Sequence, residues 1–141
     1  MEKQDTRSGA ETMRQLFAAS PFVGHLGMRL EDIQPGLAIL TLPFAESLIT
    51  VGTIVHGGAI ASLIDTAATA AAWSDALVTA QTRGTTVGLT ISYLAAAKQE
   101  DLQATAKVLR HGQSLVTLDV EVRGLSSGAF VAKGLVTYKL G

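Results

Sequence analysis

The sequence predicts an α+β fold in which one long helix packs against an antiparallel sheet. Two observations support this prediction. Between residues 57 and 74 the only charged residue is Asp65, and a helix that is apolar on all sides is usually buried. The second half of the chain alternates apolar and polar side chains between glycine-containing turns, which is typical of antiparallel strands. A single buried helix against such strands defines the class.

The composition indicates one globular domain. The chain has 141 residues, 48% of them hydrophobic, and a formal net charge of -1, so disorder and a strongly basic nucleic-acid or membrane-surface binder are excluded. It contains no cysteine, which excludes thiol nucleophiles and thiolate metal sites. Since the N-terminus lacks a signal-type apolar segment and no run is long enough to span a membrane, we expect a soluble, cytoplasmic protein.

The predicted elements follow in order along the chain. We expect a polar tail over residues 1–8 and a single domain over residues 9–141. Before the long helix, the pattern predicts a helix over residues 10–19, strands over 28–33 and 38–42, and a loop over 44–55. After it, the pattern predicts strands over residues 85–94, 102–110, 115–122 and 130–138. Strict alternation in the first of these puts Thr86 on the face opposite Leu89 and Tyr93.

The long helix carries a carboxylate away from its apolar stripe. That stripe has the three-four spacing of a packed helix and comprises Ile60, Leu63, Ile64, Ala67 and Ala71. Asp65 lies off it, among small residues that would let another backbone or a ligand approach closely. A lone buried carboxylate costs free energy unless it is paired or used. A structural pair and a functional group are both open at this point.

The helix begins at His56-Gly57-Gly58. Its first backbone N–H groups have no partner within the helix and favour anionic oxygen, so Gly57 and Gly58 are candidate oxyanion donors. Close helix–sheet packing is the alternative reason for the two glycines. We interpret His56 as a residue that hydrogen-bonds backbone at the helix start, in preference to a general base. The histidines have no metal-type spacing, so we expect no metal.

Several short motifs in this order are similar to one family. They are Val55-His56-Gly57-Gly58 followed by Leu63-Ile64-Asp65-Thr66-Ala67, together with Pro21-Phe22, Leu26-Gly27-Met28, Pro35-Gly36-Leu37-Ala38 and Ile91-Ser92-Tyr93-Leu94. From about residue 17 to the C-terminus the chain resembles the hotdog-fold acyl-CoA thioesterases of the phenylacetate-degradation (PaaI-like) type. In the hotdog fold an antiparallel sheet wraps around one long central helix.

The resemblance implies hydrolysis of an acyl-CoA thioester to a free acid and CoA. By this resemblance, the backbone N–H of Gly57 polarises the thioester carbonyl. Asp65, from the neighbouring subunit, acts as general base or nucleophile, and Thr86 orients water or the carboxylate. His56, Gly58, Thr50 and Arg110 are expected at the substrate. The implied partners are the acyl-CoA and a second copy of the chain, and CoA is part of the substrate, so no cofactor is expected.

One position departs from the family pattern. Many relatives carry Asn six residues before the histidine, where this chain has Thr50, and the chain contains no Asn at all. Threonine can donate and accept a hydrogen bond but lacks the reach of an amide. Catalysis could be weaker, or a neighbouring hydroxyl could compensate. Arg110 is a candidate for the CoA phosphates, with an ordinary solvated strand end as the alternative.

The substrate could be an aryl-CoA or a short- to medium-chain acyl-CoA. The rival hypothesis is a non-catalytic acyl-CoA-binding or sensor domain of the same fold, which binding without turnover would favour. A dehydratase of this fold is disfavoured, because such enzymes use a His–Asp pair whose placement His56 and Asp65 do not resemble. A serine hydrolase is disfavoured because the chain has no Gly-x-Ser-x-Gly motif. We expect a homodimer, and dimer pairing into a tetramer is left open.

Overall fold

A computed structural model describes residues 5–141 and confirms the α+β prediction. The helices are α1 (Gly9–Ala19), α2 (Pro21–Leu26) and α3 (Gly57–Trp73), with a 3-10 turn over Glu46–Leu48. The strands are β1 (Arg7–Ser8), β2 (Arg29–Gln34), β3 (Leu37–Leu42), β4 (Ile49–Val51), β5 (Ile54–Val55), β6 (Leu77–Val78), β7 (Gly84–Tyr93), β8 (Leu102–His111), β9 (Leu115–Gly124) and β10 (Phe130–Leu140).

Six strands form one antiparallel sheet in the order β2-β3-β8-β9-β10-β7. The sheet curves around α3, and the predicted stripe of this helix is buried against it. The helix approaches the sheet closely at Gly134 on β10, where an added Cβ would lie 2.7 Å from Cγ2 of Ile64. The glycine therefore allows the helix to sit directly on the sheet.

The structure differs from the sequence prediction before α3. Helix α2 was not predicted; it begins at Pro21, a favoured first helical residue, and ends at Gly27, whose φ of 71° suits glycine. Residues 44–55, predicted as a loop, contain the 3-10 turn and the β4–β5 hairpin. Within the predicted tail over residues 1–8, Arg7 and Ser8 form the short strand β1, which pairs with β6. Residues 1–4 lie outside the described part.

A β-bulge corrects the predicted facing of Thr86. In the β7–β10 ladder Gly88 pairs with Thr137 but Thr86 pairs with Tyr138, so Val87 is an extra residue. Paired residues point to the same face of a sheet, and Tyr138 is buried. The bulge therefore turns Thr86 to the helix side of the sheet, where strict alternation would not place it.

No helix between residues 5 and 141 is long and apolar enough to cross a membrane.

Candidate active site

The candidate carboxylate, Asp65, lies half-buried in the middle of α3. The hydroxyl of Thr86 donates a hydrogen bond to Asp65 Oδ1 at 2.5 Å. One turn further along α3, the hydroxyl of Thr69 donates to the backbone oxygen of Asp65 at 3.0 Å. No salt bridge involving Asp65 occurs within residues 5–141. Its carboxylate therefore has a neutral hydroxyl partner and keeps further acceptor capacity for water or substrate.

The start of α3 presents an open backbone donor. His56 is the N-cap: its Nδ1 accepts from the Gly58 N–H at 2.7 Å, and its own N–H donates to the Leu48 carbonyl at 2.7 Å. His56 thus makes the backbone contact expected of it. The Gly58 N–H is engaged by this cap, whereas the Gly57 N–H has no hydrogen-bond acceptor among the described residues. Gly57 is therefore the available donor for an anionic oxygen.

Tyr93 fixes the same helix start from the sheet. Its hydroxyl donates to the Gly57 carbonyl oxygen at 2.8 Å, and its ring lies about 3.5 Å from where a Gly57 Cβ would be. Tyr93 belongs to the motif Ile91-Ser92-Tyr93-Leu94, but no role at the site was predicted for it. The same strand carries Thr86, which contacts Asp65. Strand β7 therefore contacts α3 both at its donor end and at the carboxylate in its middle.

The structure does not bring Gly57 and Asp65 together within one chain. Asp65 follows Gly57 by eight helical positions, which at 1.5 Å per residue is about 12 Å. A donor and a base acting on one carbonyl must each lie within about 3–3.5 Å of the reacting atoms. If both groups act on one thioester, a second chain has to supply one of them.

The remaining predicted binding residues lie at opposite ends of α3. Thr50 is exposed in β4, in the hairpin that precedes α3. Arg110 is exposed near the end of β8, next to His111, whose Nδ1 lies 3.1 Å from Asp75 just beyond the C-terminus of α3. Since α3 has 17 residues and is about 25 Å long, a single chain does not bring Arg110 to Gly57.

A buried hydrogen bond lies behind Asp65 and was not predicted. Trp73 Nε1 donates to the Tyr138 hydroxyl at 2.8 Å, joining α3 to β10. Burial raises the pKa of Tyr138 above 10.0; the hydrogen bonds of Trp73 and Thr69 oppose this, and the charge of Asp65 adds to it. Trp73 and Tyr138 are 65 positions apart, so no local sequence pattern could have paired them.

In the described part of the chain, no group of three or more histidine, aspartate or glutamate side chains is arranged to hold a metal ion.

Comparison with known proteins identifies the family. The Thioesterase superfamily model matches residues 52–128, which include α3 and three of the six strands of the main sheet, β7, β8 and β9. Acyl-coenzyme A thioesterase 13 of Homo sapiens is 31% identical over 139 residues, covering 96% of both chains. The medium/long-chain acyl-CoA thioesterase YigI of Escherichia coli K12 is 30% identical over 136 residues, covering 86% of both.

Comparison with solved structures agrees with this family. A thioesterase family protein from Silicibacter pomeroyi superimposes with a TM-score of 0.86 at 25% identity, covering 94% of this chain and 97% of its own. The PaaI protein of the Escherichia coli phenylacetic acid degradation operon superimposes with a TM-score of 0.81 at 22% identity, covering 93% and 92%; it shows the shared hotdog fold. The chain belongs to the Thioesterase superfamily, and it is a thioester hydrolase.

Proposed function

We propose that the protein is an acyl-CoA thioesterase of the PaaI-like type that hydrolyses aryl- or short- to medium-chain acyl-CoA at sites shared between two subunits. The proposal rests on one observation. Helix α3 carries both an open N–H at Gly57 and a half-buried carboxylate at Asp65, and the two groups are too far apart to act together in one chain. The relatives named as acyl-CoA thioesterases support the substrate class.

The chemistry follows from these two groups. The Gly57 N–H of one chain donates to the thioester oxygen and stabilises the negative charge that develops there. Asp65 of the other chain accepts a proton from water as the water oxygen bonds to the carbonyl carbon. The C–S bond then breaks, and the proton passes to the thiolate, giving the acid and CoA. Direct attack by Asp65, with water cleaving the resulting anhydride, remains the alternative.

Strand β7 supports the assembly that this mechanism needs. It is an edge strand of the main sheet, ten residues long, so one row of its peptide groups is free to pair. Several of its apolar side chains are exposed, with Leu89 at 40% and Tyr93 at 53%. Long exposed edges of this kind favour pairing with another chain. We propose a homodimer through β7, and a measurement of molecular mass in solution decides whether two such dimers pair into a tetramer.

The test is thiol release from acetyl-, octanoyl-, benzoyl- and phenylacetyl-CoA by the wild type, Asp65→Asn and Asp75→Asn. Asp75→Asn is the matched control, because Asp75 is an exposed carboxylate beyond the end of α3, where it contacts His111. We expect turnover that Asp65→Asn lowers by about 10²–10⁴, the usual contribution of general acid–base catalysis, and that the control retains. Binding of acyl-CoA without turnover by the wild type would instead favour a non-catalytic binding domain.

A further inference from the structure

A cavity of about 200 Å³ opens beside Asp65, between α3 and the two N-terminal helices. Its apolar wall comes from α1 and α2 and consists of Met13, Leu16, Phe17, Phe22 and Val23. Asp65 is the only charged residue among the described residues that line it, and the cavity reaches Thr66 and Thr69 on the same helix. An apolar cleft with a few polar groups at one end is the usual form of a small-molecule site.

The rim of the cavity exposes apolar surface. Phe22 is 55% exposed and Leu16 is 47% exposed. Both lie beside the cavity, so a ligand bound there would cover them. Adjacent exposed large apolar side chains typically mark a binding surface. The lining holds no Lys or Arg, so it suits a hydrocarbon group and not the phosphates of CoA.

We propose that this cavity holds the acyl group and sets its length, with Phe22 and Ser20 as residues that determine specificity. The inference rests on the proposed thioesterase function. A cavity of about 150 Å³ accepts benzene. The cavity here is about a third larger, and it therefore fits a phenyl ring or an acyl chain of about six to eight carbons. The thioester carbonyl then lies at the Asp65 end.

The position of Asp65 also fits the release of product. Hydrolysis turns a neutral thioester into a carboxylate anion at the Asp65 end of the cavity. Two carboxylates close together repel each other, and no cationic side chain in the lining offsets that repulsion. The cavity therefore favours the neutral acyl thioester over the acid that it yields.

Two substitutions test the volume and the rim of the cavity. Ser20 lines the cavity, makes no side-chain cap hydrogen bond, and has φ and ψ of -72° and 118°, which suit leucine. Ser20→Leu therefore fills space, whereas Phe22→Ala removes apolar wall. Leu109→Ala is the matched control, because Leu109 is an exposed side chain on β8 that does not line the cavity.

The readout is kcat/KM for straight-chain acyl-CoA substrates of two to twelve carbons and for phenylacetyl-CoA. In the wild type we expect a rise of about fourfold per methylene that stops at about eight carbons. Ser20→Leu should stop the rise about two to four carbons earlier. Phe22→Ala should lower the octanoyl-to-acetyl ratio of kcat/KM by about tenfold, and Leu109→Ala should leave it unchanged.

The outcomes separate this inference from the proposed function. If the wild type hydrolyses acyl-CoA but neither Ser20→Leu nor Phe22→Ala changes the chain-length profile, the acyl pocket is elsewhere and the inference is wrong. If nothing is hydrolysed, the proposed function fails. In that case calorimetry measures the binding of octanoyl- and acetyl-CoA to the wild type and to Phe22→Ala. The proposed acyl pocket requires that the wild type binds octanoyl-CoA more tightly than acetyl-CoA, and that Phe22→Ala abolishes this difference.

Discussion

At Gly57 the proposed catalytic group is a backbone N–H, which ordinary side-chain substitutions leave in place. Proline removes that N–H, and the site accepts proline: Gly57 is the first helical residue, and His56 before it has φ and ψ of -59° and 133°, as a residue preceding proline requires. We expect Gly57→Pro to keep the helix and lose about 10²–10³ in kcat, measured by thiol release together with circular dichroism.

Gly57→Ala is the control for this experiment. It keeps the N–H, and its Cβ would meet Tyr93 at ordinary contact distances of 3.5–3.6 Å. Its activity should stay near that of the wild type. Equal loss of activity in both variants would show that the missing N–H is not the cause of the loss in Gly57→Pro.

Thr86 provides the hydroxyl that contacts Asp65. Thr86→Val keeps the β-branched shape but removes the donor at 2.5 Å, so the carboxylate loses the partner that orients it. We expect kcat to fall about tenfold or more, with Thr86→Ser close to wild type, because one hydrogen bond to a charged group contributes about 1.5–3 kcal/mol. Thr90→Val, on the exposed face of the same strand, should not change kcat.

At the scale of elements, the Trp73–Tyr138 hydrogen bond ties α3 to β10. Tyr138→Phe leaves the buried Trp73 N–H without a partner and should lower the free energy of unfolding by about 1–3 kcal/mol, measured with urea. The Trp73→Phe, Tyr138→Phe double variant should lose less than the sum of the two single losses, because the unpaired group is gone. Strictly additive losses would contradict this coupling.

The raised pKa of Tyr138 gives the same link a pH dependence. Above pH 10.0 a tyrosine in the unfolded chain ionises first, so the unfolded state binds fewer protons and stability falls as pH rises. Lys133, whose pKa is raised chiefly by its hydrogen bond to Asp119, acts in the same direction at similar pH, but it is present in the wild type and in Tyr138→Phe and does not change their difference. The stability advantage of the wild type over Tyr138→Phe should therefore shrink above about pH 10, and a constant advantage would contradict the assignment.

For the whole molecule, the proposed two-chain site predicts complementation. Gly57→Pro and Asp65→Asn are each expected to be inactive, but in a mixed dimer one site receives intact copies of both groups. With random exchange of subunits, about a quarter of the wild-type activity should return. The assay is thiol release after unfolding and refolding an equimolar mixture.

A second mixture provides the control for complementation. Thr86 and Asp65 contact each other within one chain, so mixing Asp65→Asn with Thr86→Val should give no more than the average of the two variants. Activity returning equally in both mixtures, or in neither, would contradict a site that takes Gly57 from one chain and Asp65 from the other.

Much of this architecture was predictable because it depends on local patterns. The absence of charge apart from Asp65 predicted a buried helix over about residues 57–74 with one exceptional residue, and α3 covers Gly57–Trp73. Alternation predicted the four long strands after it. Both patterns arise because burial selects apolar side chains at the spacing of the backbone geometry.

Other features depended on contacts between residues that are distant in sequence. The sequence by itself determined the long helix, its N-terminal glycines and its lone carboxylate. Only the tertiary structure decided which face of β7 carries Thr86, since a bulge reverses the alternation. It also decided that Trp73 meets Tyr138, and that α1 and α2 enclose a cavity beside Asp65. These outcomes depend on register and packing between separate segments, which short-range periodicity does not encode.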